Sequence, residues 1–114
     1  MDKNKIFYTH LFNKNNNKGG FTLAFTRYRD DEVCVGIAKC RDNESFVKFI
    51  GRQHSTVRLN ELIAKLDESY IPMVEGSPVD MPWTWRVQFD PRHNLDEVNV
   101  HDVERFIVQN IFEF

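Results

Sequence analysis

Residues 21–40, FTLAFTRYRDDEVCVGIAKC, constrain the fold more than any other stretch of the chain. Two runs rich in Phe, Val, Ile, Thr and Tyr flank the acidic pair Asp30–Asp31, the pattern of two antiparallel strands joined by a tight turn. In the second run the alternation is chemical. Val33, Val35 and Ile37 point to one side, whereas Cys34, Gly36, Ala38 and Cys40 point to the other and are all small. A sheet face without bulk lets a helix lie close to the backbone. A two-residue turn sets Phe25 opposite Gly36, and a three-residue turn aligns Phe25 with Val35; the sequence leaves both registers open.

The helix that suits this face follows at once. Residues 40–66, CRDNESFVKFIGRQHSTVRLNELIAKL, read as a strand end and then one long helix over 43–69, with Asp42 or Asn43 as its cap and Glu44 near its positive end. Its first half is expected on the small-residue face. The apolar positions do not share one side. At about 100° per residue, Phe46, Phe49, Ile50 and Val57 fall together, and Leu59, Leu62, Ile63, Leu66 and Tyr70 fall nearly opposite. Such a helix touches two surfaces or breaks between them, and Gly51 is the weak point, costing about 1 kcal/mol against Ala. Close approach to the sheet is the plain reason for a glycine there; approach to a ligand or a second subunit is the sharper one.

Around the hairpin and the helix, KIFYTHLF (5–12) reads as a strand and NKNNNKGG (13–20) as a mobile loop. Segment 71–81 is punctuated by proline and glycine, hence a loop. In WTWRVQF (83–89), Trp83, Trp85, Val87 and Phe89 alternate with Thr84, Arg86 and Gln88, a half-exposed strand. Val100, Val103, Phe106, Ile107, Asn110, Ile111 and Phe114 repeat at helical spacing. The expected fold is a single α+β domain over 1–114: an antiparallel sheet with the hairpin at its centre, packed by the long helix and a C-terminal amphipathic helix. The large apolar face of the hairpin calls for a second subunit, so a homo-oligomer is expected.

Composition bounds the function. There is no long apolar run and no signal-like segment, so the chain reads as soluble and not membrane-bound. Cys34 and Cys40 have no partners at metal spacing and read as small buried residues of a reducing compartment. The net charge of −2 hides a split: residues 1–58 hold eleven Lys and Arg against six Asp and Glu, and residues 59–114 hold four against eleven. That split suits an anion-binding face or self-association between unlike surfaces, but not sequence-independent DNA binding.

Three constellations bear on chemistry. In FIGRQHSTVRL, Gly51, His54 and Arg58 share a helix side, with Arg52 beside them. Guanidinium, imidazole and a bare backbone together suit a phosphate or carboxylate, although both arginines have a structural alternative in pairing with acids of the C-terminal half. Trp83 and Trp85 could stack a base, although alternating tryptophans more often belong to a core. Asp90, Asp96, Glu97, Asp102 and Glu104 form an acidic face suited to a basic partner protein. Asp90, His93, Asp96, Glu97 and His101 are metal-ligand types at a spacing that matches no compact site, so no metal and no cofactor are expected. No GxSxG, HExxH, P-loop or CxxC pattern appears, which leaves an enzyme without an anchor.

Between residues 33 and 59, the pattern Val35, Gly36, Ala38, Cys40, Asp42, Phe46, Gly51, Arg52, Arg58 and Leu59 resembles small, mostly uncharacterised accessory proteins of tailed bacteriophages. The resemblance covers about a quarter of the chain and carries no catalytic residues. It implies a phage accessory protein, a class that includes many inhibitors of bacterial defence, and the function expected is that of a non-enzymatic binding protein in the host bacterial cytoplasm that counters host defence. Such a protein either sequesters an anionic nucleotide signal at Gly51, Arg52, His54, Arg58, Trp83 and Trp85 or blocks a defence protein. The alternatives are a small acidic immunity or inhibitor protein and a nucleotide- or nucleic-acid-processing enzyme.

Overall fold

The hairpin is the middle of a four-stranded antiparallel sheet, seen in a computed structural model that describes residues 1–72, 81–90, 92 and 94–112. The strands are β1 (Phe7–Asn13), β2 (Lys18–Arg29), β3 (Glu32–Ser45) and β4 (Thr84–Gln88), adjacent in chain order. Helix α1 (Lys48–Glu68) lies between β3 and β4 in the chain, and α2 (Val100–Phe112) closes the described part. The class is α+β, as the sequence implies. The expected loop over 71–81 lies mostly outside the described residues, as do His93 and Phe114.

The turn at Asp30–Asp31 combines the two open registers. Arg29 pairs with Glu32 across a two-residue turn, an irregularity follows between Arg27 and Arg29, and Phe25 therefore pairs with Val35 while Ala24 pairs with Gly36. Phe25 does not cover the bare backbone of Gly36. Helix α1 does.

The two faces of the sheet are sorted by side-chain size. Leu23, Phe25, Val33, Val35, Ile37 and Val87 face α2, which buries Val103, Ile107 and Ile111 against them. The apolar face assigned to a second subunit from sequence is thus filled by the chain's own C-terminal helix. Opposite, Ala24 and Cys34 pack with Leu59, Leu62 and Leu66 of α1. Burying those three leucines contributes about 2 kcal/mol each before the cost of ordering them.

Two expectations for α1 need correction. Strand β3 runs on to Ser45, which pairs with Lys18, and the Phe46 N–H donates to the Asn17 carbonyl at 2.8 Å. Asp42, Asn43 and Glu44, expected at the start of the helix, thus belong to β3, and the helix begins only at Lys48. Its N-cap is Val47, without a side-chain cap and without an acid in the first turn. The helix is also continuous and buries a single stripe, Ser55, Leu59, Leu62 and Leu66. Phe46 precedes it, buried and stacked on Phe12, whereas Phe49, Ile50 and Val57 face solvent. The small-residue face meets both halves of α1, with Gly51 and Ser55 over Thr22 and Gly36 and with Leu59, Leu62 and Leu66 over Ala24 and Cys34. Cys34 is fully buried there, but Cys40 is only half-buried.

Two glycines fix that contact. A Cβ on Gly36 would lie 2.1 Å from the Ser55 carbonyl oxygen and 2.5 Å from the Leu59 nitrogen. A Cβ on Gly51 would lie 2.1 Å from Thr22 Oγ1, so the plain reason for this helical glycine, approach to the sheet, is the observed one. Gly36→Ala is expected to lower the unfolding free energy in chemical denaturation by about 2–3 kcal/mol, because backbone blocks the new methyl. Gly51→Ala should cost less, since a side chain is in the way and alanine regains about 1 kcal/mol of helix propensity.

Candidate functional site

Helix α1 divides the charged residues that adjoin one another in sequence. Gly51, Ser55 and Leu59 press on the sheet, so Arg52 and Thr56 fall towards β1 while His54 and Arg58 fall towards β3. Arg52 Nε donates to His10 Nε2 at 3.2 Å, and its Cζ lies 5.3 Å from the Tyr8 ring centroid. The Tyr8 and Thr56 hydroxyls meet at 2.6 Å beside it. Arg58 instead donates through Nη1 to the Ile37 carbonyl, and its Cζ lies 5.6 Å from the Trp83 ring centroid. His54 is exposed and lines a small recess with Gly51, Ile50 and Cys40. The four residues read from sequence as one anion site are therefore not one site. Neither arginine is ion-paired to a carboxylate among the described residues.

What the fold brings together around Arg58 is different and only partly legible in the sequence. Pairing of β4 with β3 ends where Thr84 meets Gly36, and the Ile37 N–H makes one further bond to the Trp83 carbonyl at 2.8 Å. Beyond it β3 continues along an edge that no strand pairs with among the described residues. Arg58, Trp83, Lys39, Arg41, Asp42 and Asn43 line a cleft of about 680 Å³ at this edge. Three cations and one carboxylate line it, Glu44 lies 3.9 Å from Arg41, and charge on an open strand edge also discourages pairing with a stray strand. Trp83 has φ +60°, a left-handed conformation that costs a non-glycine residue about 1–2 kcal/mol. This backbone presents an indole that is 45% exposed. Trp85 belongs elsewhere: its Nε1–H donates to Asn110 Oδ1 on α2 at 2.7 Å.

Most of the acidic face serves the fold. Asp96 accepts from the buried Arg27 side chain, which also reaches the Met1 and Asp30 carbonyls. Glu104 accepts from the Thr9 hydroxyl at 2.8 Å, and Arg92 engages Asp90. Asp102 holds Arg105 at 3.4 Å, and Glu97 is exposed. Asp90 and Asp102 also rim an apolar cavity of about 390 Å³ walled by Phe89, Val98, Val103 and Phe106. No three His, Cys, Asp or Glu side chains converge as metal ligands among the described residues, and no described helix is long and apolar enough to cross a membrane.

A buried ion pair escaped the sequence reading. Arg86, placed by alternation on the exposed side of its strand, lies under α1 opposite Cys34 and donates to Glu32, with the two side chains 7% and 3% exposed. Tyr70 donates its hydroxyl to the same carboxylate at 2.9 Å, and burial with that bond raises its pKa. Burial also pushes the neighbouring Cys34 thiol up to about 12. Arg29 stacks on Tyr70, its Cζ 3.4 Å from the ring centroid. A polar residue aligned with a strand of small residues was the only sequence signal, and alternation alone does not say which face a helix will cover.

Compared with known proteins, the chain matches no family model, no curated protein and no solved structure.

His10 joins the Arg52 side of α1 to the sheet. Because Nε2 accepts from Arg52, Nδ1 carries the proton and donates to Thr22 Oγ1 at 3.2 Å. Burial first, then the charges of Arg52 and Lys48, hold its pKa below the ordinary 6.5. In the window between the folded pKa and 6.5 the unfolded chain binds more protons, so this group makes stability fall as pH falls through that window. Stability measured against pH should decline less steeply there for His10→Gln than for the parent. In NMR titration the imidazole midpoint should lie below 6.5.

Proposed function

We propose that the protein is a non-enzymatic binder of an anionic nucleotide, which lodges in the cleft between α1 and the free edge of β3. The observation that carries this reading is Trp83, held in a costly backbone conformation with its indole half open beside a guanidinium that has no carboxylate partner among the described residues. Arg58, Lys39 and Arg41 supply donors for phosphate, and the indole supplies a stacking surface for a base. Arg58 is positioned before any ligand arrives, because the Ile37 carbonyl fixes one of its nitrogens. The roles given from sequence to Gly51, Arg52, His54 and Trp85 pass to Lys39 and Arg41. On this reading the phage-like pattern over 33–59 gives capture a purpose: a host defence signal is withheld in the bacterial cytoplasm.

The test is titration calorimetry with nucleoside mono-, di- and triphosphates and with inorganic phosphate. Arg58→Ala and Trp83→Ala should each weaken nucleotide binding about ten- to a hundredfold, the range for losing a charge-assisted bond or a stacked ring. Arg52→Ala should leave it unchanged. Equal affinity in all three variants would reject the cleft. Trp83→Gly separates ligand from fold, since glycine accepts φ +60° without strain. It should lose binding while its stability stays within about 1 kcal/mol of the parent.

A further inference from the structure

Two apolar faces stay uncovered among the described residues, one on each helix, and they carry opposite charge. On α1 and its entry, Val47, Phe49, Ile50 and Val57 are 46%, 68%, 50% and 56% exposed. Phe49 and Val57 line a broad open groove with Tyr8, Arg52, Gln53, His54 and Thr56. Residues 46–57 hold Lys48, Arg52 and His54 and no carboxylate. On α2, Phe106 is 42% exposed over the cavity that Phe89, Val98 and Val103 wall and Asp90 and Asp102 rim. Residues 90–105 hold five carboxylates against two arginines.

We infer that copies of the chain associate head to tail, the basic apolar face of α1 in one copy seating on the acidic apolar cavity of α2 in the next. Charge decides the pairing: an α1–α1 contact sets like charges against each other, and so does α2–α2. The two helices lie on opposite sides of the sheet, so no copy can satisfy both faces by itself. A contact between unlike surfaces leaves one of each kind free at the ends of a dimer. It therefore closes into a ring or grows further. The cavity, at about 390 Å³, is of the size that encloses a small organic group, and Phe49 is the most exposed large apolar side chain among the described residues. This inference is independent of the nucleotide cleft, since neither face includes Trp83, Lys39 or Arg41.

The experiment is sedimentation velocity on the parent, on Phe49→Glu, on Phe106→Lys and on an equimolar mixture of the two variants, at low and high ionic strength. The parent should sediment as an assembly that shrinks at high salt. Each variant alone should be a monomer, and the mixture should form a dimer and nothing larger. In that mixture the intact α1 of Phe106→Lys meets the intact cavity of Phe49→Glu, and the remaining faces are both spoiled. Because Phe106 packs on Phe89 at 5.0 Å between ring centroids, Asp102→Lys, whose parent side chain is 64% exposed, serves as a second cavity variant that leaves the packing intact. It should also be monomeric alone and dimeric when mixed with Phe49→Glu. A parent that stays monomeric, variants that assemble like the parent, or monomeric variants whose mixture fails to pair would each overturn the inference; the last result indicates a symmetric contact or a different partner for these faces.

Discussion

Helix α1 can lie where it does because Gly36 has no side chain. With a Cβ there 2.1 Å from the Ser55 carbonyl, the helix would have to lift off β3. Arg58 is one turn beyond Ser55, and only a helix seated this low lets its guanidinium reach the Ile37 carbonyl at the strand edge. The same seating puts Leu59 and Leu62 over Cys34 and Ala24 and closes the lid on Glu32 and Arg86. Core, buried ion pair and cleft thus share one steric condition. The buried pair is weak evidence for stability by itself, since desolvation of two charges offsets much of their attraction, but removing one partner would strand the other.

The arginines illustrate how a short sequence distance becomes a functional separation. Arg52 and Arg58 are six residues apart, yet one lies towards β1 with His10 and Tyr8 and the other towards β3 with Trp83. A helix on a sheet acts as a wall between its flanks. Arg52 is occupied by an imidazole and a phenol ring that need it, which makes it part of the structure. Arg58 keeps donors beyond the one spent on Ile37, beside Lys39 and Arg41. The charge split between the halves of the chain is likewise resolved in space: the basic half supplies the outer face of α1 and the free edge of β3, and the acidic half surrounds α2.

Much of the fold was legible in the residues. The Asp30–Asp31 turn, the small side of β3, the stripe of α2 and the half-exposed strand through Trp85 all follow from short-range periodicity. The site was less so. Trp83 and Arg58 were readable as candidates by residue type, but Lys39 and Arg41 looked like the ordinary end of a strand. Arg86 was assigned to the wrong environment because alternation identifies two faces without saying which is covered. The acids of 90–104 looked like one patch, yet Asp96 and Glu104 are spent on Arg27 and Thr9, nearly seventy and more than ninety positions away respectively.

By itself the sequence determined which segments extend, which coil and which side of each is apolar, because those properties are encoded over a few neighbouring residues. Tertiary structure alone decided where β3 stops, since Ser45 is held in the strand by pairing with Lys18 and Phe46 by its bond to the Asn17 carbonyl. It also decided that α2 fills the sheet's second face, that Trp83 takes a left-handed backbone, and that Arg58 and Trp83 meet across twenty-five positions. Each of these depends on contacts between distant parts of the chain, and no local period records them.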